Sequence, residues 1–406
     1  MDSLSTLRAT ARACFPSLDS GFAYLDNAGG SQIPAVVIDA MSDYCRTSYV
    51  QTGGGYPASL ACKRVLDGAH AFAAEFLNAC ETGGVILGPS STSLVHLLST
   101  AFGEVLQPGD EVIVADTNHE ANATPWYRLE RFGIKVVPWP ADPETLTCTL
   151  SSLGNILGPR TRIVAFPHAS NVTGIVADVP AICAAVRAAG AISVCDGVAF
   201  APHRAVDVQA LGCDFYFFSA YKVYGPHLAA MYGRHEAWAP LTGPNHVFIP
   251  KSAFPSKWEL GSLSYEGCAG MLALPRYLEV LAEESYAGYA TVTRAFAAMN
   301  RLEESPHERL YGFLSAKPRV RLIGPRKFGP DAVGTLGFRH ETLLPAEITA
   351  QVNRHPIGIK HASFYSIRLL RTIGIDPGEG VVRVSLVHYN STEEIDRLIG
   401  VLDPLL

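Results

Sequence analysis

A lone lysine at the end of an aromatic strand is the residue best placed to do chemistry. Lys222 follows Phe215-Tyr216-Phe217-Phe218-Ser219-Ala220-Tyr221, and Val223-Tyr224 then leads into Gly225-Pro226. The apolar run reads as a buried strand, and the Gly-Pro pair stops it. Among aromatic neighbours an ammonium group loses hydration, so its pKa falls and the neutral amine gains population. A neutral amine in a dry pocket is what Schiff-base chemistry requires. Taken alone, the same lysine also fits a core strand from which it snorkels to water.

A second strand end narrows the choice. Ile192-Ser193-Val194-Cys195 is apolar and closes on Asp196-Gly197. Asp-Gly by itself is a common turn. Chemistry based on pyridoxal 5'-phosphate (PLP) needs a lysine for the aldehyde and commonly an acid for the pyridinium nitrogen. The carboxylate keeps the ring protonated and able to accept electrons from a substrate carbanion. Together the two strand ends favour that cofactor.

Other apolar segments end in polar residues too. Val85-Ile86-Leu87-Gly88 gives way to Pro89-Ser90-Ser91-Thr92-Ser93, followed by Leu94, Leu97, Leu98 and Phe102 at helical spacing. Hydroxyls and backbone amides at a helix start suit a phosphate, and they equally suit ordinary N-capping. A Walker loop is excluded, because its glycine spacing and Gly-Lys pair are absent. His119 follows Val112-Ile113-Val114-Ala115. Its imidazole could stack on a planar ring or simply open a surface helix running through Trp126. No second histidine follows at zinc spacing, and no metal site is expected. Asn171 closes the strand Thr161 to Phe166, and Tyr24-Leu25 runs into Asp26-Asn27-Ala28-Gly29-Gly30. That glycine turn either lets the backbone of Ala28 and Gly29 approach a ligand or is a plain turn before a helix near Pro34.

These residues need a frame that brings strand ends together. Strands and Ala/Leu-rich helices alternate from about residue 80 to 232, which argues for an open, mostly parallel sheet flanked by helices. Ligands bind beyond the carboxyl ends of such strands, where His119, Asn171, Asp196 and Lys222 would converge. A helical stretch runs from Leu272 to Asn300. Strands at 320–323, 335–338 and 381–387, with helices near 345–353, 363–372 and 392–405, then read as a smaller α+β domain. We expect a large domain over 18–270 and a small one over 1–17 with 271–406. Arg383 lies inside the apolar strand Val381 to Val387. A buried arginine requires an anionic partner, either an internal carboxylate or the carboxylate of a substrate.

Composition bounds the rest. The 406 residues are 48% hydrophobic and 17% charged, enough for two ordinary globular domains. A net charge of −6 gives no electrostatic case for nucleic acid or an anionic membrane. The N-terminus has no signal-like apolar core, and no apolar run is long enough to span a bilayer. Nine cysteines, an odd count without C-x-x-C spacing, indicate neither a disulfide framework nor zinc. A soluble, cytoplasmic protein with reduced thiols is expected.

The ordered set Tyr24-Leu25-Asp26-Asn27-Ala28, His119, Ser170-Asn171-Val172, Asp196-Gly197, Lys222 and Arg383 resembles the class V aminotransferase group of fold-type I PLP enzymes. The resemblance is to the cysteine desulfurase-like branch, from about Phe15 to the C-terminus. It implies that Lys222 carries the cofactor aldehyde, Asp196 pairs with the pyridinium nitrogen and His119 stacks on the ring. Asn171 would bond the phenolic oxygen, and Ser91, Thr92 and Ser219 would hold the phosphate with Tyr221 beside them. Arg383 would grip the substrate carboxylate, near Ala28 and Gly29. The family forms homodimers, so Ser264 or Tyr265 would reach the partner's phosphate.

Departures from the family pattern are equally informative. Desulfurases carry a nucleophilic cysteine where this chain has Lys360-His361-Ala362-Ser363-Phe364-Tyr365, and its last cysteine is Cys268. Ala199 stands where they have a glutamine, and Tyr221 where they have a histidine. The segments around Asp196, Lys222 and Gly225-Pro226-His227-Leu228 look more like the subgroup containing the ustiloxin-pathway decarboxylative aldolase. That enzyme loses carbon dioxide from Cβ and joins the resulting carbanion equivalent to an aldehyde. The expectation is a PLP-dependent lyase acting at Cβ of an L-α-amino acid, by loss of sulfur, sulfinate or carbon dioxide. Aminotransferase, epimerase or desulfurase activity, or a PLP-binding regulatory protein, are the alternatives.

Overall fold

The structure is a computed structural model describing residues 3–79, 81–324 and 327–406. Met1 and Asp2, in the segment 1–17 expected to join the small domain, lie outside the described residues, as do Cys80, Pro325 and Arg326. The strands in chain order are β1 (Ala23–Tyr24), β2 (Gly83–Gly88), β3 (Glu111–Ala115), β4 (Lys135–Trp139), β5 (Thr161–Pro167), β6 (Ile192–Asp196), β7 (Phe215–Ser219), β8 (Ala229–Arg234), β9 (Val320–Ile323), β10 (Thr335–His340), β11 (Ile357–Gly358), β12 (Lys360–Ala362) and β13 (Val381–Ser385).

A seven-stranded sheet of order β2-β8-β7-β6-β5-β3-β4 forms the centre. The ladder from β7 through β4 is parallel, while β8 runs antiparallel to both β7 and β2. Both faces are covered, which explains why β5, β6 and β7 read as nearly continuous apolar runs. Alternate residues enter different layers. Tyr216 and Phe218 face one set of helices, with Phe218 5.0 Å from Phe76. Phe215 and Phe217 face the other, with Phe215 4.8 Å from Trp238. Burying four successive aromatic side chains on two faces fixes the register of β7, because a one-residue slip would exchange both layers.

A second sheet of order β12-β13-β10-β9 is antiparallel throughout. Helices Pro345–Val352 and Thr392–Leu402 supply Ile348, Ile395 and Leu398 to its core. The N-terminal segment joins the two regions: β1 pairs with β11, and Asp26 bridges to Ser385 at the end of β13.

The local differences from expectation have physical causes. β4 was not anticipated, since Pro138 interrupts it; as an edge strand it tolerates a residue without an N–H. The helix expected through Trp126 is a 3-10 turn, Glu120–Asn122, followed by the single turn Thr124–Tyr127. Helical residues 272–300 belong to two helices, Tyr265–Ala282 and Tyr289–Ser315, separated at Gly288. The helix expected over 363–372 begins only at Ile367, because Phe364 and Tyr365 take left-handed backbone conformations, φ 51° and 57°.

Gly197 shows how tightly the sheet holds its carboxyl ends. A Cβ there would lie 2.1 Å from the Tyr216 ring, whose hydroxyl is fixed 2.9 Å from Nδ1 of His168. Neither ring has room to yield. Gly197→Ala is expected to destabilise the protein by about 1–3 kcal/mol, as overpacking of a filled core does, read as a lower urea midpoint with unchanged slope. An unchanged midpoint would show that Tyr216 can move.

Candidate active site

β7, β6, β5 and β3 are consecutive neighbours in the sheet, so Lys222, Asp196, Asn171 and His119 emerge side by side. They line one cavity together with Ser90, Ser91, Thr92, Ser219, Tyr221 and Ala199. A larger cavity of ≈ 240 Å³ on the other side of Pro167, bounded by Trp139, Cys148 and Phe166, contains none of these four residues.

Helix Ser91–Val105 opens onto the site. Ser90 caps it by accepting the Ser93 N–H, leaving Ser91 and Thr92 in the first turn. The Ser91 and Ser219 hydroxyls lie 2.8 Å apart. A helix N-terminus with converging hydroxyls is an anion site by dipole and by hydrogen bonding. Tyr221 stacks on His227, with centroids 4.9 Å apart, and its carbonyl accepts the Ser31 N–H at 3.1 Å. The Tyr24–Ser31 segment is therefore docked on the turn that carries Lys222.

Lys222 is 9% exposed and has no ion pair among the described residues. Burial, reinforced by Arg383, lowers its pKa to about 8, while Asp196 and Asp26 pull the other way. Roughly a tenth of the amine is thus neutral near pH 7, far more than for an ordinary lysine. Burial raises Asp196 to about 6, against the Val198 N–H and Lys222. One Asp196 oxygen accepts that N–H at 2.9 Å; the other has no protein partner among the described residues. His119 falls to about 4 through burial, then Lys222 and Arg383. Its Nδ1 accepts the Ala121 N–H at 3.0 Å, so the neutral ring carries its proton on Nε2.

Arg383 is 3% exposed. One Nη donates to Asp26 at 2.6 Å and the other to the Asn171 carbonyl at 3.1 Å. Its guanidinium lies 3.8 Å from the Phe364 ring centroid, and Nε is buried without a partner. The internal carboxylate is therefore present, and Nε is the one nitrogen left unpaired; Arg383 packs behind Asn171 and is not itself part of the cavity lining. Ala28 and Gly29 do not line the cavity. Ala28 donates its N–H to Ser385, and a Cβ on Gly29 would sit 3.1 Å from the Asp26 carboxylate. Ser264 caps helix Tyr265–Ala282, and the Tyr265 hydroxyl donates to Gln51, so both lie away from this cavity.

The sequence placed Asp26 in the set that carries the resemblance and noted the missing thiol at 360–365, but assigned neither Asp26 nor the turn 363–366 a partner in the site. Asn171 donates from Nδ2 to the Phe364 carbonyl and accepts the Ser366 hydroxyl at Oδ1, each at 2.8 Å. The signal for Asp26 was its place in the strand-like segment Tyr24-Leu25-Asp26-Asn27-Ala28; pairing across the chain to Arg383 leaves no trace in spacing.

The sequence profile described as aminotransferase class-V matches residues 23–398. The chain belongs to that family. It is 34% identical to the aminotransferase-like protein FGM3 of Gibberella zeae, over 100% of both chains. It is 29% identical to a cysteine desulfurase of Serratia proteamaculans, over 93% of this chain and 92% of that one. The crystal structure of the cysteine desulfurase CsdA from Escherichia coli superposes with a TM-score of 0.83 at 26% identity, covering 98% of each chain. The class V aminotransferases are PLP-dependent enzymes, and the fold is the fold-type I architecture expected from the sequence.

The donor set fits PLP: a lysine depleted of charge partners, a buried carboxylate with a free oxygen, a neutral imidazole and an anion cup. Burying Lys222 has a thermodynamic signature. Its folded pKa, about 8, lies below its unfolded value of 10.5, so the charged form is penalised fully below about pH 8 and not at all above about pH 10.5. Lys222→Met should therefore stabilise the cofactor-free protein by about 1–3 kcal/mol at pH 7, and the gain should shrink between pH 8 and 10.5 and be nearly gone by about pH 11. Urea melts at about pH 7 and pH 11 measure it; a gain undiminished at the higher pH would point to packing instead of charge.

Proposed function

We propose that this class V enzyme acts on an L-α-amino acid as a lyase, removing a group attached at Cβ. The observation that carries the reading is the convergence of Lys222, Asp196 and His119 beside Arg383, combined with a 360–366 segment that has no thiol. When bound, PLP supplies an electron sink for a carbanion at Cα. Lys222 would hold the cofactor and, once free, take the Cα proton; its depressed pKa suits a base at neutral pH. Asp196 would keep the pyridine nitrogen protonated through its unpartnered oxygen. Ser91, Thr92 and Ser219 would hold the phosphate, His119 would cover the ring face, and Asn171 would reach the phenolic oxygen with its second amide hydrogen. Arg383 would take the substrate carboxylate at Nε, with Asp26 retaining one Nη.

Burial pushes Cys183 and Cys268 up to about 12 and raises Cys195 and Cys213 well above the ordinary thiol value, so these four thiols stay protonated. We assign the cofactor-binding large domain to 18–270 and the small domain to 1–17 with 271–406.

The test is an absorbance titration of PLP-loaded protein with L-cysteine, L-cysteine sulfinate, L-aspartate and L-alanine, with sulfide, sulfite and carbon dioxide assayed. A spectral shift with one of the first three, release of its Cβ group and no turnover by Lys222→Ala is expected. Arg383→Ala should weaken amino-acid binding by about 10-fold or more, the worth of a hydrogen bond to a charged group, without loss of PLP. Turnover by Lys222→Ala, or transamination as the sole reaction, would overturn the reading.

A homodimer is also proposed. Ile38, Leu60 and Leu272 are exposed on helices Ala35–Thr47, Pro57–Phe76 and Tyr265–Ala282, and Tyr49 and Tyr56 are exposed on the connector between the first two. Exposed apolar residues gathered on packed helices suit an interface. Sedimentation equilibrium at micromolar concentration should give twice the chain mass; a monomer would exclude it.

A further inference from the structure

The turn Ser363–Ser366 is the most tightly tethered exposed feature near the site. Phe364 and Tyr365 are consecutive non-glycine residues in the left-handed region, a conformation that persists only where surroundings enforce it. The enforcement is visible. Asn171 holds the Phe364 carbonyl and the Ser366 hydroxyl, and the Glu120 N–H holds the Tyr365 carbonyl at 2.8 Å. Arg368 pairs with the Glu120 carboxylate at 2.5 Å and lies 4.4 Å from the Tyr127 ring centroid.

The consequence is a division of labour between adjacent side chains. Phe364 turns inward, 6% exposed, against the Arg383 guanidinium. Tyr365 turns outward, 66% exposed, with its ring 5.2 Å from His119 and its hydroxyl without a protein partner among the described residues. One turn thus touches both the arginine offered to the substrate carboxylate and the imidazole offered to the cofactor ring. Under the amino-acid reading, the exposed side chain of that turn beside His119 is placed to meet the rest of the substrate. The neighbouring cations Arg383 and Arg368 are paired with Asp26 and Glu120, and the free Nε of Arg383 is buried, so the phenol is an exposed donor without a protein partner on this side among the described residues.

We propose that Tyr365 is a specificity-determining residue: its ring covers the site beside His119, and its hydroxyl donates to the Cβ substituent of the substrate. This rests on the amino-acid reading above. The class it selects is amino acids bearing a hydrogen-bond acceptor at Cβ, such as a carboxylate or sulfinate, over those with a bare methyl.

PLP-loaded wild type, Tyr365→Phe, Tyr365→Ala and Arg368→Ala are titrated with L-alanine, L-aspartate and L-cysteine sulfinate by visible absorbance, and PLP affinity is measured by equilibrium dialysis. Both Tyr365 variants should weaken whichever acidic amino acid wild type prefers by about tenfold while moving L-alanine by less than about twofold, with PLP affinity unchanged. Arg368→Ala, which loosens the turn, should give a smaller loss of the same pattern. Equal weakening of all three amino acids would make Tyr365 a mere wall and overturn the inference. A Tyr365→Phe variant indistinguishable from wild type would overturn it as well. If wild type responds to no amino acid, the lyase reading falls and this inference with it; if wild type responds and the Tyr365 variants match it, only this inference falls.

Discussion

An ammonium group held out of water without a carboxylate in contact is the constraint around which this molecule is built. Lys222 could be made comfortable by moving Asp196 or Asp26 a few ångströms closer, and a stability-optimised core would do so. Instead Arg383, which lowers its pKa further, is buried nearby, and the carboxylates act at a distance. The unfavourable charge state is offset by packing elsewhere: four aromatic residues of β7 fill two helix layers, and the strand cannot slide to expose the lysine. Reactivity at Lys222 and rigidity of β7 are therefore two sides of one arrangement.

The chain after Lys222 is fixed with equal care. Tyr224 adopts a left-handed backbone, φ 67°, and its hydroxyl donates to the Pro202 carbonyl. His388 sits 3.1 Å from that hydroxyl and also contacts the Tyr277 hydroxyl. Burial lowers His388 to about 3, so this junction is a neutral network at ordinary pH. It joins the Lys222 turn, the helix Tyr265–Ala282 and the segment following β13. Movement of the second sheet relative to the first would be felt at the lysine, which gives the joined segments a role beyond packing.

Much of the site was legible because each chemical residue closes an apolar run. Lys222, Asp196, Asn171 and His119 follow strands that the sheet makes adjacent, and strand-end residues in a parallel sheet must share an edge. The hydroxyl cluster proposed to hold the phosphate was visible for the same reason, opening a periodic helix. What spacing could not show was any pairing that crosses the chain. Arg383 was recognisable as a buried cation, but its partner, Asp26, lies 357 positions away in sequence. β4 stayed hidden behind Pro138, and the turn at 363–366 read as helix because left-handed Phe and Tyr have no compositional mark. Ala28 and Gly29, read as backbone that meets a ligand, instead support Asp26 and Ser385.

The turn also bears on the route of a leaving group. A loop thiol would accept sulfur covalently and pass it on, keeping the product attached to the enzyme. A phenol cannot act as that acceptor: it is a poor nucleophile toward sulfur at neutral pH, and the buried thiols Cys183, Cys195, Cys213 and Cys268 remain protonated. Under the proposed lyase reading, a group leaving Cβ must depart as a stable free species, as carbon dioxide and sulfite do, or be replaced at Cβ by a second substrate. Both need a mouth that admits or releases a small molecule while shielding the carbanion from protons. A ring fixed by its backbone but exposed along one face meets that requirement. The strain stored in two left-handed residues is thus explained if the turn replaces a moving nucleophile with a stationary rim.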